Sequence, residues 1–254
     1  MILPFEIIKY FVHAKGRHGI HSPFVYDFVD KCLKIEVNPE FIQKRNDLFS
    51  KLKSSKKLIT VADFGVGSKK LSNSREIKSL FKVSSTKGKY ADLLFRLSSF
   101  YKPARILELG TSLGIGTIHL QAGNPTSRIT TIDACRETIN QAKLNFNTFK
   151  FDINCINETF ETFLNQLELE RFDLIFIDGH HDGEALKNYL EKLYDYAHEE
   201  TIFILDDIRW SASMFRAWTE IIHSEKYHVT LDLFRIGIII PKKQQTKQHF
   251  VIRY

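Results

Sequence analysis

The run from Arg105 to Gly116 constrains the fold of this chain more than any other stretch. It reads Arg-Ile-Leu-Glu-Leu-Gly-Thr-Ser-Leu-Gly-Ile-Gly, an apolar segment that leads into three closely spaced glycines. Glycine tolerates positive φ angles and lets a ligand or a helix approach the backbone closely. A helix N-terminus behind such a turn presents backbone N–H groups to a ligand. We therefore predict a strand at 105–109, a cofactor-binding turn, and a helix that begins near Thr117.

Glu108 indicates which cofactor this turn would hold. A carboxylate at a strand tip would repel a pyrophosphate, but it suits a cofactor that carries an ammonium group, such as S-adenosylmethionine. Gly110, Gly114 and Gly116 give the spacing Gly-x-x-x-Gly-x-Gly, whereas nicotinamide-binding turns use Gly-x-Gly-x-x-Gly. The turn therefore predicts an S-adenosylmethionine site, and a plain strand-to-helix turn without a ligand is the alternative.

Downstream of the turn, strand-like and helix-like segments alternate, as in a parallel sheet covered on both faces. The predicted fold is α/β, a doubly wound, Rossmann-like and mostly parallel sheet of seven strands with a helical N-terminal extension. The predicted strands are 105–109, 128–132, 151–156, 172–177, 201–205, 227–234 and 236–240. The last two are joined too closely for a parallel crossover, so we expect an antiparallel pair at the C-terminal edge.

The domain organisation predicted from this pattern has three parts. Residues 1–89 form a helical and basic extension, 90–241 the catalytic domain, and 242–254 a basic tail suited to docking as a further strand. A helix is predicted at Lys89 to Tyr101, and Leu58 to Phe64 with the glycines that follow is predicted to be a loop or a small edge structure.

The N-terminal extension is predicted to be a cap or a dimerisation element. Its apolar residues recur at helical spacing: Phe5, Ile8, Phe11, Val12, Phe24, Phe28, Val29 and Leu33. In the loop from Gly16 to Phe24, Ser22 and Pro23 favour the start of a helix. His13, His18 and His21 favour a structural or substrate-facing loop over a metal site.

Composition argues against several classes of protein. No stretch approaches the roughly 20 apolar residues of a membrane-spanning helix, and the start, Met-Ile-Leu-Pro-Phe-Glu, does not read as a signal peptide. We therefore expect a cytoplasmic protein with no membrane span. Cys32, Cys135 and Cys155 are widely spaced, which argues against a zinc site and a disulfide framework.

The net charge of +6 is concentrated in one segment. Residues 44–89 contain thirteen Lys or Arg against three acidic residues, which gives +10. Such a segment would attract an anionic partner, although a solvated surface with scattered lysines explains the composition equally well.

Acidic residues follow successive predicted strands, where ligands bind in a doubly wound sheet. Asp133 is placed to accept hydrogen bonds from ribose hydroxyls, and Glu158 to contact the adenine edge. Asp178, Asp206 and Asp207 would bring carboxylates together, which is costly unless protons or a cation compensate them. Oxygen ligands suit Mg²⁺ or Mn²⁺. Alternatively, Asp206 or Asp207 caps the next helix while Asp178 contacts the cofactor.

With these residues, the chain over about 90–241 resembles class I S-adenosylmethionine-dependent methyltransferases. The similarity is to the cation-dependent O-methyltransferase branch, which includes catechol, caffeoyl-coenzyme A and bacterial sugar O-methyltransferases. The resemblance implies that Leu107 to Gly114 holds the methionine portion and that Asp133 holds the ribose. The predicted cofactor-binding residues are Glu108, Gly110, Thr111, Ser112, Gly114, Asp133, Glu158 and Asp178.

The same resemblance implies a metal site and a base. The metal ligands map onto Asp178, Asp206 and Asp207, although the catechol enzyme has Asn at the position of Asp207 and the sugar enzymes have paired acids. The position of the family's lysine base falls on His181. The predicted catalytic residues are therefore His181, its neighbour His180, and Asp178, and a purely supporting role remains open for both histidines.

The leading hypothesis is thus an O-methyltransferase that acts on a small, anionic, hydroxyl-bearing molecule with Mg²⁺ or Mn²⁺. The alternative is an RNA or other nucleic-acid methyltransferase, which the basic segment favours. Against that alternative, the sequence contains neither an Asn-Pro-Pro-Tyr-type motif nor a recognisable RNA-binding module. A non-catalytic interaction protein is the third hypothesis, and carboxylates at successive strand tips argue against it.

Overall fold

The computed structural model of the chain describes residues 4–62, 72–83, 86–168 and 170–254. The helices in these ranges are α1 Pro4–His13, α2 Pro23–Asp30, α3 Pro39–Ser54, α4 Ile77–Val83, α5 Lys89–Tyr101, α6 Ile115–Gly123, α7 Arg136–Phe149, α8 Phe160–Gln166, α9 Gly183–Leu193 and α10 Ala212–His223. The strands are β1 Leu58–Ala62, β2 Ser72–Glu76, β3 Arg105–Leu109, β4 Arg128–Ile132, β5 Asn154–Ile156, β6 Leu174–Ile177, β7 Ile202–Leu205, β8 Val229–Leu233, β9 Ile236–Ile240 and β10 Gln248–Val251. None of the helices in the described ranges is long and apolar enough to cross a bilayer.

The main sheet has the strand order β10-β8-β9-β7-β6-β3-β4-β5. Strands β6 and β7 are parallel, as are β4 and β5, whereas β9 is antiparallel to β7 and β8. The α/β, mostly parallel fold and the antiparallel C-terminal pair are confirmed. The prediction of seven strands is wrong, because the C-terminal tail adds β10 parallel to β8 and forms that edge of the sheet. An open edge strand offers unpaired backbone groups, and the tail satisfies those of β8.

A separate antiparallel pair, β1 with β2, agrees with the predicted small edge structure. The predicted glycine turn at Gly65 to Gly67 lies outside the described residues. The helix predicted at Lys89 to Tyr101 is confirmed as α5, because Leu93, Leu94 and Leu97 bury one face of it.

One compact unit of the chain comprises Met1–Asp30, Arg105–Leu107 and Gln166–Tyr254. All residues of β6, β7, β8 and β9 in this unit are buried. Strands β6, β7 and β9 are continuous apolar runs, as expected for strands buried on both faces, which is why their positions were readable from the sequence. Trp218 of α10 belongs to this core and is 1% exposed.

Helix α1 in this unit is helical as predicted and packs through the face that carries Tyr10. Tyr10 is buried, and its hydroxyl donates a hydrogen bond to the carbonyl oxygen of Ile252. Three apolar side chains of the helical pattern are exposed: Ile8, Phe11 and Val12. Helical spacing alone could not show that the C-terminal segment anchors Tyr10. Pro23 begins α2 as predicted, and Phe28 is buried.

The other compact unit comprises Lys31–Ala104 and Glu108–Asn165. Asn38 caps α3, because its side chain accepts hydrogen bonds from the backbone N–H groups of Glu40 and Phe41. The apolar core of this unit joins residues of α3, α4, α5, α6 and α7. Leu113, in the turn after β3, belongs to this core and helps to hold the turn in place.

Candidate active site

The turn between β3 and α6 has the backbone geometry that its glycines predict. Gly110 and Gly114 have φ angles of 112° and 75°, and Ser112 has a φ of 46°. The N–H groups of Gly110 and Thr111 both donate to the carbonyl oxygen of Ile132, at 2.9 and 3.2 Å. These bonds tie the turn to the end of β4.

Asp133, which follows β4, is bonded directly to this turn. Its Oδ2 accepts a hydrogen bond from Ser112 N at 2.8 Å, and its Oδ1 accepts from Cys135 N at 2.8 Å and Thr138 Oγ1 at 3.2 Å. Burial raises the pKa of Asp133, while these hydrogen bonds act in the opposite direction. The residue remains partly exposed, so the carboxylate is ordered and reachable. Glu158 is also partly exposed.

Glu108 lies inside the protein rather than at the surface of the turn. It is 1% exposed, and its Oε2 accepts hydrogen bonds from the hydroxyls of Thr117 and Thr131. Burial raises the pKa of Glu108 to about 7 against the effect of both hydroxyls. Glu108 therefore supports the turn from within, and its direct contact with a cofactor ammonium group stays a prediction. The two threonines were missed because a hydroxyl in an apolar segment gives no pattern.

The other compact unit contains the predicted metal ligands. The register of β7 with β9 pairs Leu205 with Gly237, which brings the residues after β7 next to the residue before β9. Arg235 therefore lies beside Asp206 and Asp207. Arg235 Nη2 is 2.6 Å from Asp206 Oδ2, and Nε is 2.9 Å from Asp206 Oδ1 and 3.0 Å from Asp207 Oδ1.

Arg235 supplies the positive charge beside Asp206 and Asp207. Burial alone would lower the pKa of Arg235, but Asp206 and then Asp207 and Asp178 raise it overall. Burial and the neighbouring Asp206 raise the pKa of Asp207, while Arg235 and His181 lower it. A guanidinium with a raised pKa is a permanent positive charge.

The residues present do not fit the predicted divalent cation. Arg235 already contacts both oxygens of Asp206 and one oxygen of Asp207, and Asp206 Oδ1 also accepts the N–H of Asp207 at 2.8 Å. Within the described part of the chain, no group of three or more His, Cys, Asp or Glu side chains is arranged to hold a metal ion. Sequence reasoning missed Arg235, whose only signal was a lone basic residue between two apolar strands.

The two predicted base residues differ in their surroundings. His181 Nδ1 lies 3.8 Å from Asp207 Oδ2, and the His181 ring lies 5.7 Å from the ring of Trp210. His180 Nδ1 forms a hydrogen bond with the hydroxyl of Tyr189. Thus His181 faces the acidic residues, whereas His180 is held by α9. Trp210 is 56% exposed and is no core residue.

Strained backbone marks the same region. His180, His181 and Asp207 have φ angles of 63°, 29° and 52°. Positive φ is unfavourable for residues other than glycine and recurs at functional sites. Neighbouring caps fix the loop, since Asp182 caps α9 and Ser211 caps α10. The alternative in which Asp206 or Asp207 caps the next helix is therefore wrong.

Comparison with known proteins gives a family for the central part of the chain. Residues 107–208 match the model of a family described as a methyltransferase domain. The chain has no significant match among curated proteins.

Solved structures share the fold. An O-methyltransferase from Bacillus cereus in complex with SAH is 20% identical with a TM-score of 0.54, over 62% of this chain and 83% of its own. A protein assigned as a caffeoyl-CoA O-methyltransferase from Staphylococcus aureus is 19% identical with a TM-score of 0.57, over 64% and 88%. An SAH-bound methyltransferase from Podospora anserina is 17% identical with a TM-score of 0.55, over 82% and 98%.

The match to the methyltransferase domain begins within β3, the strand before the glycine turn, and ends just after β7. Residues 107–208 are therefore a methyltransferase domain within a Rossmann-like sheet. Its solved neighbours include O-methyltransferases, which it resembles in fold. A shared fold does not specify the methylated atom, so the acceptor has to be argued from the site.

Proposed function

We propose that the protein transfers the methyl group of S-adenosylmethionine to a hydroxyl oxygen of a small molecule. The observation that carries the proposal is the 2.8 Å hydrogen bond from Ser112 N to Asp133 Oδ2. It orders a partly exposed carboxylate beside a turn in which Gly110 and Gly114 adopt positive φ angles. S-adenosylmethionine, when bound, supplies an electrophilic methyl group.

In this proposal the turn and the residues after the strands each bind a different part of the cofactor. Residues 110–114 bind the methionine portion, Asp133 binds the ribose hydroxyls, and Glu158 contacts the adenine edge. Asp133 Oδ2 accepts one hydrogen bond from the described residues, and a carboxylate oxygen has a second lone pair for a ribose hydroxyl.

The acceptor needs a base, because its hydroxyl loses a proton as the oxygen takes the methyl group. The new C–O bond forms while the C–S bond breaks, the sulfur keeps the electron pair, and the proton passes to the base. His181 suits this role because Asp207 Oδ2, 3.8 Å from Nδ1, stabilises the imidazolium that forms. The exposed Trp210 ring beside it offers an apolar wall to the acceptor.

Ion pairs formed by the basic segment, residues 44–89, favour a small acceptor over RNA. Several of its cations are already engaged in ion pairs: Lys44 with Glu40, Arg45 with Asp92, and Lys78 with Glu76. The charge that remains for a phosphate backbone is correspondingly smaller. An anionic small molecule still fits the rest of the segment.

Calorimetry with S-adenosylhomocysteine tests the cofactor site. The Asp133→Asn variant should bind roughly 10- to 100-fold more weakly, because a hydrogen bond to a charged group contributes about 1.5–3 kcal/mol. The exposed Asp152 offers a matched control, and Asp152→Asn should bind like the parent protein. Equal affinity in a folded Asp133→Asn variant would remove Asp133 from the site.

Labelled S-adenosylmethionine tests the acceptor. The proposal predicts incorporation into a small-molecule extract, as methyl ether products. Incorporation mainly into total RNA would establish the alternative function instead.

A further inference from the structure

Arg235 lies where the acidic residues after β7 require a positive charge. The side chain of Asp206 is 0% exposed, and a buried carboxylate is unfavourable unless it is paired and hydrogen-bonded. Arg235 provides both through two parallel contacts of 2.6 and 2.9 Å with the oxygens of Asp206. Such bidentate pairs are the strong and geometrically specific ones.

The position of Arg235 is fixed by the backbone as well as by its side chain. The antiparallel pairing of β7 and β9 ends at Leu205 and Gly237, next to Arg235, and the N–H of Ile208 donates to the carbonyl oxygen of Arg235 at 3.0 Å. The side chain is 31% exposed. Arg235 is therefore part of the sheet connection and not a freely moving surface residue.

A divalent cation would compete with this guanidinium for the same oxygens. Mg²⁺ takes oxygen ligands at about 2.0–2.1 Å in nearly ideal octahedral geometry. Three of the four carboxylate oxygens of Asp206 and Asp207 already contact Arg235. A cation placed among them would also lie next to a like charge, which is strongly unfavourable at short range.

We propose that Arg235 takes the place of the divalent cation that the sequence predicts here, so that this methyltransferase works without a bound metal ion. The proposal rests on the proposed function, because it assigns Arg235 as a positioning residue for the same acceptor site. Arg235 holds Asp206 and Asp207 in place, and Asp207 in turn keeps its Oδ2 directed towards His181. A metal is then not needed to order the carboxylates.

Binding of Mn²⁺ to the full-length protein tests this proposal without any acceptor. We would titrate Mn²⁺ and follow the free ion by electron paramagnetic resonance. The parent protein and Arg235→Lys should show no specific site, because both keep the positive charge. Arg235→Met frees the carboxylates and should bind Mn²⁺ at least about tenfold more tightly than the parent. Mn²⁺ should also raise the melting temperature of this variant alone.

Arg45→Met is the matched control, because it removes another arginine from a close ion pair, the 2.6 Å contact with Asp92. It leaves a single carboxylate and should gain no Mn²⁺ site. A specific Mn²⁺ site in the parent protein would overturn the proposal. So would a folded Arg235→Met variant that gains no Mn²⁺ affinity. If Arg235→Met does not fold, the parent titration and Arg235→Lys decide.

The same samples separate this proposal from the proposed function. Affinity for S-adenosylhomocysteine depends on the turn residues and not on Arg235. A parent protein that does not bind S-adenosylhomocysteine would contradict the proposed function. A parent protein that binds S-adenosylhomocysteine and also has a specific Mn²⁺ site would contradict only the role of Arg235.

Discussion

Replacing Gly114 by alanine should destabilise the protein through two separable effects. Gly114 has a φ of 75°, and a Cβ there would lie 2.4 Å from Cε1 and 2.6 Å from Cζ of Phe146. The left-handed conformation costs a residue other than glycine about 1–2 kcal/mol. Forcing Phe146 to move costs about 1–3 kcal/mol more. We therefore expect Gly114→Ala to lower the free energy of unfolding by about 2–5 kcal/mol.

Urea denaturation followed by circular dichroism measures this loss, and a double-mutant cycle with Phe146→Leu divides it. The smaller side chain relieves the overlap but not the backbone strain, so the double variant should recover about 1–3 kcal/mol relative to additivity. Gly16→Ala is the control, since Gly16 has a φ of −90° and a methyl group added there would have no atom within 4 Å. Strict additivity of Gly114→Ala and Phe146→Leu would refute the contact between the turn and α7.

Further predictions concern buried charges and salt. Burial lowers the pKa of His119 to about 4, so its contribution to the free energy of unfolding is present above its unfolded-state pKa and is lost as pH falls towards 4. Burial raises the pKa of Glu108 to about 7, so its contribution is lost as pH rises from about 4.5 to 7. Each effect amounts to about 3 kcal/mol and the two oppose each other, so the free energy of unfolding of the parent protein should be nearly constant between about pH 4.5 and 6.5. Over this range it should rise with pH in Glu108→Gln and fall with pH in His119→Asn. Parallel curves for the three proteins would contradict these pKa shifts. Arg209→Met should lower the free energy of unfolding by about 3–5 kcal/mol, because it leaves the buried Asp232, 2.6 Å away, uncompensated; an unchanged urea midpoint would contradict this. If residues 44–89 attract an anionic acceptor, its KM should rise with ionic strength, and a salt-independent KM would show that the segment is only solvated.

The sequence predicted the main elements well because their signals are local. Strands β6, β7 and β9 are continuous apolar runs, and α5 has a clear helical period, so each was placed within a few residues. The glycine turn was equally readable, since Gly110 and Gly114 need conformations that few other residues adopt. Asp133 and the acids after β7 followed from the rule that ligands bind at the ends of parallel strands.

What could not be predicted depends on contacts between distant parts of the chain. The pairing of Arg235 with Asp206 spans 29 residues and results from the register of an antiparallel pair, which apolar patterning does not define to the residue. The anchoring of α1 through Tyr10 could not be predicted for the same reason, because its hydrogen-bond partner is Ile252, 242 residues further along the chain. The partners of Glu108 were missed because threonine is common in strands and helices without any such role.

The bond between Tyr10 and Ile252 has a consequence for how the protein is made. Lys15 N donates to Val251 O at 2.8 Å and Arg253 N to Lys15 O at 3.0 Å, so segments far apart in the sequence share backbone hydrogen bonds. During translation at roughly 5–20 residues per second, Tyr10 and Lys15 cannot form these bonds until residues 251–253 have left the ribosome. The unit that contains the glycine turn has no such requirement. A nascent chain should therefore order the glycine turn before it docks α1, and deletion of residues 248–254 should release α1 without unfolding the turn.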